Sequence, residues 1–174
     1  MSVISLPTCT RLAHYWVALW RYARMLGAYR QRKTILTYSR SLRADEISGI
    51  RGQTRRGVIE ATRQGLPVSG IEELLKSGRL TLAEVDRIVL PRKTLSHRRK
   101  IGRLTPEQSD RLVRVVRVLA AAEETFGSQD KASRWLRRPT KVLEGEAPLE
   151  LLDTTEGARE VEDLLHRIDH GLAV

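Results

Sequence analysis

The residues best able to do chemistry stand in one dense run, Arg92-Lys93-Thr94-Leu95-Ser96-His97-Arg98-Arg99-Lys100. Guanidinium and ammonium groups at this density attract polyanions, nucleic acid first. The segment Thr81–Leu90 reads as a short helix, Leu90-Pro91 as a sharp turn, and the basic run as a second helix. That is helix-turn-helix spacing, in which the early residues of the second helix face base edges in the major groove. Arg92 and Lys93 could reach guanine O6 and N7 there, while Thr94, Ser96 and His97 could bond to bases or phosphates. Arg98, Arg99 and Lys100 come later and suit phosphates, which give affinity and salt dependence without sequence information. Leu95 is the expected inward anchor. Spacing alone leaves a charged, solvated helix equally open.

Other chemistry is thin. His166 and His170 are four apart with Glu162 one turn earlier, a spacing that could hold zinc. No cysteine pair or third helix supplies a further ligand, the order is not that of a zinc protease, and His14 and His97 are remote, so no metal is expected. The single cysteine, Cys9, allows no internal disulfide; a reducing cytoplasm is the expected compartment. There is no nucleophile–base pair, phosphate loop or paired-carboxylate arrangement. The expectation is a protein that is not an enzyme and needs no cofactor. A small hydrolase or metal enzyme using Glu162, His166 and His170 is the alternative from another class.

The elements that position these residues are helical. Leu, Ala, Glu and Arg are plentiful and β-branched alternation is scarce, so the fold class expected is all-α. With aromatics at 5% of the 174 residues, the core must be mostly Leu, Val, Ile and Ala. Capping boxes, in which a short polar side chain and a Glu or Gln three residues later satisfy each other's orphan donors, are predicted at Ser69/Glu72, Thr81/Glu84, Thr105/Gln108 and Asp153/Glu156. Pro106 takes the first helical position after Thr105. Gly65, Gly78, Gly102, Gly127 and Gly171 fall where left-handed helix ends belong, and Pro91 cuts off the segment before it. The predicted helices are 54–64, 69–77, 82–89, 92–101, 105–126, 129–137, a short one at 148–152, and 154–170. Helix 105–126 carries Leu112, Val115, Val116, Leu119 and Ala122 on one stripe. Helix 154–170 carries Ala158, Val161, Leu165, Ile168 and Leu172 on another, with Leu164 flanking. Its expected packing partner is 105–126.

The formal net charge is +10 and the pI about 10.4. No acidic residue precedes Asp45, whereas acids gather between Glu144 and Asp169. The two ends therefore address different partners. Residues 1–52 read as a basic extension in which Leu12, Tyr15-Trp16, Leu19-Trp20, Ala23 and Leu26 recur at helical spacing among arginines. An amphipathic helix against phosphates or a membrane surface and a poorly ordered extension are both open there. No apolar run approaches the ~20 residues of a membrane span. The first twenty residues do not make a convincing signal peptide.

The C-terminal punctuation is specific: Ala132, Trp135-Leu136, Pro139, Leu143, Gly145, Pro148-Leu149, Leu151-Leu152, Gly157, Val161, Leu164-Leu165, Ile168 and His170-Gly171. Over some forty residues this resembles the Xre/MbcA/ParS toxin-binding domain of bacterial antitoxins. Leu90 to Arg99, then Gly102-Arg103-Leu104-Thr105 and Ser109-Asp110-Arg111-Leu112, resemble the recognition-helix region of the Xre-like domain in the same family. Family members commonly carry Arg-Thr-Leu where this chain has Lys93-Thr94-Leu95; lysine keeps the charge but not the bidentate fork. The resemblance implies a helix-turn-helix domain at 53–126, joined by a long helix to a compact toxin-binding module at 127–174. It implies an antitoxin of a type II pair that represses its own operon and holds a RES-type toxin inactive. Such toxins resemble ADP-ribosyltransferases and act on NAD, so the partner and not this chain would consume it. The implied partners are operator DNA, the cognate toxin and a second copy of the chain, with no membrane. Within the module, Trp135, Leu136, Pro139, Leu143, Gly145, Pro148, Leu149 and Gly157 are the defining residues. Gly171 closes the module, and the segment Glu144–Glu150, the polar face with His166 and His170, and the tail Leu172 to Val174 are the candidates to meet the toxin. A stand-alone DNA-binding regulator, whose C-terminal module only dimerises, is the rival reading.

Overall fold

A computed structural model describes residues 55–172. The readings made for 1–52, with Cys9 and His14, and for Val174 lie outside the described residues. Regular structure within 55–172 is helical: α1 (Arg55–Gln64), α2 (Ser69–Lys76), α3 (Leu82–Ile88), α4 (Arg92–Ile101), α5 (Pro106–Phe126), α6 (Gln129–Leu136) and α7 (Thr155–Asp169). Two 3-10 turns, Lys141–Leu143 and Glu150–Asp153, lie between α6 and α7. The all-α expectation holds, as do the helix boundaries to within about two residues.

The start signals work where the chain outside the helix is extended. Thr81 and Thr105 both accept from the N–H three residues on, and both boxes close reciprocally through Glu84 and Gln108. Two predicted boxes do not form. Val68, already in helical conformation, precedes α2 in place of Ser69 as cap. Its N–H donates to the Gly102 carbonyl (3.1 Å), so a tertiary bond sets that start. At α7 the cap is Thr154, which accepts from the Gly157 N–H; Asp153 is used up as the last residue of the preceding 3-10 turn. Ser128 caps α6. All five glycines expected at helix ends have positive φ.

The core of the described residues is Leu, Val, Ile and Ala, as the composition requires. α5 runs through it. Leu112, Val115, Val116, Leu119 and Ala122 are buried as predicted, and so are Val118, Ala120 and Ala121. α5 is packed by α1, α6, α7 and the second 3-10 turn. Three successive alanines let those neighbours come close on several sides at once. Arg111 and Arg117 keep one side of α5 in water.

On α7 the buried residues are Ala158, Val161, Leu164 and Leu165, and the helix packs on α5 as expected. The predicted stripe is corrected at its end. Ile168 is half-buried and Leu172 is 57% exposed. Gly171 (φ +66°) turns the chain out of the helix before Leu172 can follow the stripe. Among the described residues no helix is long and apolar enough to cross a membrane.

Candidate nucleic-acid interface and partner-binding module

α3, the turn Val89-Leu90-Pro91 and α4 form a helix-turn-helix pair whose second helix is fixed at four places. Leu95 is buried at 1% exposure and anchors the middle. At the start, Asp86 on α3 accepts the Arg92 N–H (2.7 Å) and faces the Arg92 guanidinium at 3.8 Å. It thereby supplies the cap that Pro91 cannot. At the end, the Leu104 N–H donates to the Leu66 carbonyl (2.8 Å) and the Val68 N–H to Gly102, an antiparallel bridge around Pro67 and Arg103. The Ser109 hydroxyl, fully buried, accepts the Leu66 N–H (2.8 Å) and donates to the Thr105 carbonyl (2.7 Å), which locks that junction to α5. On the flank, Arg99 reaches Glu72 of α2 at 2.8 Å.

With Leu95 inward, a 100° step per residue puts Lys93 and His97 at the centre of the outward face, with Lys100 and then Ser96 to one side. All four are exposed. Among the described residues Lys93 and Lys100 make no ion pair, so their charge is available to a polyanion. Arg92 is exposed beside Asp86, and Ser96 returns its hydroxyl to the Arg92 carbonyl (3.1 Å). Thr94 and Arg98 are half-buried, and Arg98 Nε is buried without a hydrogen-bond partner. Arg99 has its Nε on Glu72, so part of its charge is already met on the scaffold. The predicted basic residues thus divide into an unpaired outward pair, Lys93 and Lys100, a pair engaged with the scaffold, Arg92 and Arg99, and the half-buried Arg98.

The C-terminal module is built by the residues whose spacing stood out in the sequence. Trp135 is half-buried and tilts on Phe126, with ring centroids 5.2 Å apart. Leu136, Leu143, Pro148, Leu149 and Gly157 are buried. The Leu149 N–H donates to the Leu136 carbonyl (2.9 Å), which folds the connecting loop back onto the end of α6. Gly145 (φ +90°) follows Glu144 (φ +55°), so two successive left-handed residues turn the loop; Pro139 and Gly145 themselves are exposed. Gly157 is required by space: a Cβ there would fall on the Leu151 carbonyl oxygen and lie 2.9 Å from Leu151 Cβ.

From Glu144 onward the outer surface of the module is mainly acidic and carries two imidazoles, whereas Lys131, Arg134, Arg138 and Lys141 are exposed before it. Glu144, Glu146, Asp163, His166, Asp169, His170 and Gly171 are exposed. The His166 and His170 rings lie 4.0 Å apart, and His170 Nδ1 is 2.8 Å from the His166 carbonyl oxygen. Glu162 faces Arg117 at 3.8 Å and does not join them. Among the described residues no group of three His, Cys, Asp or Glu side chains is placed to hold a metal.

The sequence did not reveal how the two halves are tied. Arg137, which follows α6, grips Glu84 on α3 through Nε (2.6 Å) and a second guanidinium nitrogen (2.9 Å); the latter also donates to the Arg79 carbonyl (3.2 Å). Its remaining nitrogen donates to Ser133, at both the hydroxyl and the carbonyl. Arg87, one turn along α3, meets Glu150 at 2.6 Å. Arg79 and Glu123 form a further bidentate pair (2.7 and 3.1 Å). Burial pushes the Glu84 carboxyl up, but Arg137 and the Thr81 N–H together outweigh it and hold it below the usual carboxylate range. Arg87 likewise draws Glu150 down. Between these pairs opens a cleft of 170 Å³ floored by Ile88, Ala147 and Leu149.

A helix-turn-helix with unpaired lysines outward, fused to a helical module with acidic residues exposed from Glu144 onward, defines a DNA-binding regulator with an appended helical module. Comparison with known proteins agrees. Residues 57–117 match the antitoxin Xre-like helix-turn-helix domain. Residues 121–171 match the antitoxin Xre/MbcA/ParS C-terminal toxin-binding domain. The border between the matches falls inside α5. Antitoxin Xre of Pseudomonas putida is 37% identical over 107 residues, 62% of this chain and 67% of that protein. Antitoxin Xre of Photorhabdus laumondii is 43% identical and that of Yersinia enterocolitica 45%, each over 60 residues, 34% of this chain and 40% of the relative. The chain belongs to the Xre/MbcA/ParS antitoxin family, with a helix-turn-helix of the Xre-like kind.

Proposed function

We propose that this antitoxin neutralises a RES-type toxin, an ADP-ribosyltransferase-like enzyme acting on NAD. Its C-terminal module would dock over the toxin's active-site entrance, and its helix-turn-helix would repress its own operon as a homodimer on paired half-sites. The observation that carries the reading is the division of labour within 121–171. Five of the residues that define the toxin-binding domain, Leu136, Leu143, Pro148, Leu149 and Gly157, are turned inward to build it, which leaves acidic and imidazole side chains from Glu144 onward exposed for a partner. The segment Glu144–Glu150, the polar face of α7 and the tail Leu172–Val174 are the contacts proposed. An acidic surface calls for a basic rim around the partner's cleft. On the DNA side, Lys93, Ser96, His97 and Lys100 are the proposed front, with Arg92, Thr94, Arg98 and Arg99 beside it.

The test is co-expression with the open reading frame adjacent to its gene. The expected outcome is that the neighbour alone arrests growth, that this chain restores it, and that the two co-purify in fixed stoichiometry. A neighbour that neither binds nor arrests growth leaves the stand-alone regulator as the better account.

A further inference from the structure

α3 has seven residues, too few to hold a helix by itself. Val85 and Ile88 bury one face of it. A buried pair fixes where a short helix lies, but leaves its rotation and tilt to whatever grips its flanks. Three of its remaining side chains are ionic, and all three are engaged. Glu84 and Arg87 stand one turn apart on one flank and hold Arg137 and Glu150 of the C-terminal module. Asp86 lies 100° or more round the helix from both and holds the first residue of α4 by its N–H and its guanidinium.

From this arrangement we infer that Glu84, Arg87 and Arg137 are positioning residues for DNA recognition. The C-terminal module sets the rotation of α3, and Asp86 passes that setting to the start of α4, where Arg92 and Lys93 would meet bases. Arg137 directly follows Trp135-Leu136, so the grip begins in the segment that builds the toxin-binding module. The inference rests on the DNA-binding half of the proposed function.

The experiment uses the full chain and a fluorescent duplex covering the sequence upstream of its own reading frame, read by anisotropy across a salt series. Arg137→Gln should raise Kd roughly five- to tenfold although no residue of α4 has changed. Its salt slope should match the wild type, because the number of phosphate contacts is the same. Glu84→Gln should behave alike, and the double variant should be no worse than either single one. Glu123→Gln is the control: it breaks the Arg79 pair, which is of similar burial but does not touch α3, and should leave Kd within about twofold. If Arg137→Gln does not fold, Arg87→Gln on the exposed pair replaces it. Cooperatively melting variants that bind like the wild type would overturn the inference, as would an equal loss in Glu123→Gln. Wild-type chain that binds no duplex would instead sink the DNA-binding reading, and this inference with it.

Discussion

At the residue scale, two positions separate reading from building. Lys93 stands at the centre of the outward face of α4 with no ion pair among the described residues. A single ammonium there supplies a point charge and not a planar fork, so it suits a phosphate better than a guanine edge. Lys93→Ala should therefore weaken binding to all duplexes by a similar factor and lower the salt slope by about 0.9. A change in sequence preference at unchanged slope would show that it reads a base. Gly157 is the opposite case. It has no side chain to offer a partner, and the place of a Cβ is taken by the Leu151 carbonyl oxygen, Leu151 Cβ and Thr154 Oγ1. Gly157→Ala should cost about 1–3 kcal/mol in urea unfolding through overpacking, with loss of partner binding only to the extent that the module opens. Full stability with lost partner binding would make Gly157 a contact residue.

At the element scale, the tie between α3 and α6 has a pH signature. The folded Glu84 carboxyl lies below its ordinary value of 4.5, so the unfolded chain takes up the proton first as pH falls. The stabilisation is complete above 4.5, shrinks below it, and is gone once pH passes the folded value. The urea midpoint of the wild type should therefore fall more steeply below pH 4.5 than that of Glu84→Gln. Parallel curves would show that Arg137 does not hold this carboxyl. Above that range the Glu84→Gln deficit reports a half-buried bidentate pair, about 1–3 kcal/mol.

Across the whole of 55–172, much of the architecture was legible because local signals carry it. Thr81 and Thr105 cap where predicted, and Leu95 and most of the α5 and α7 stripes are buried. The misses occur where distant chain decides a local outcome. Val68 displaces Ser69 as cap because Gly102 claims its N–H. Leu172 leaves the stripe because Gly171 turns the chain. Ser109 reads as an ordinary polar helix residue until Leu66, 43 positions away, gives it a donor to accept from. Charge pairing was least legible: with 31 basic and 21 acidic side chains, nothing local singles out Arg137 for Glu84. The same long-range ties make one core of two family matches. α5 belongs to both, so the helix proposed to face DNA and the surface proposed to face a toxin share a scaffold. The proposed neutralisation is therefore best tested with the whole chain. The decisive measurement is NAD consumption by the co-purified complex, before and after the two proteins are separated under denaturant and the partner is refolded alone. The expected result is no NAD loss in the complex, loss by the freed partner, and its suppression when this chain is added back stoichiometrically. A freed partner that leaves NAD intact, or a complex as active as the partner alone, would contradict it.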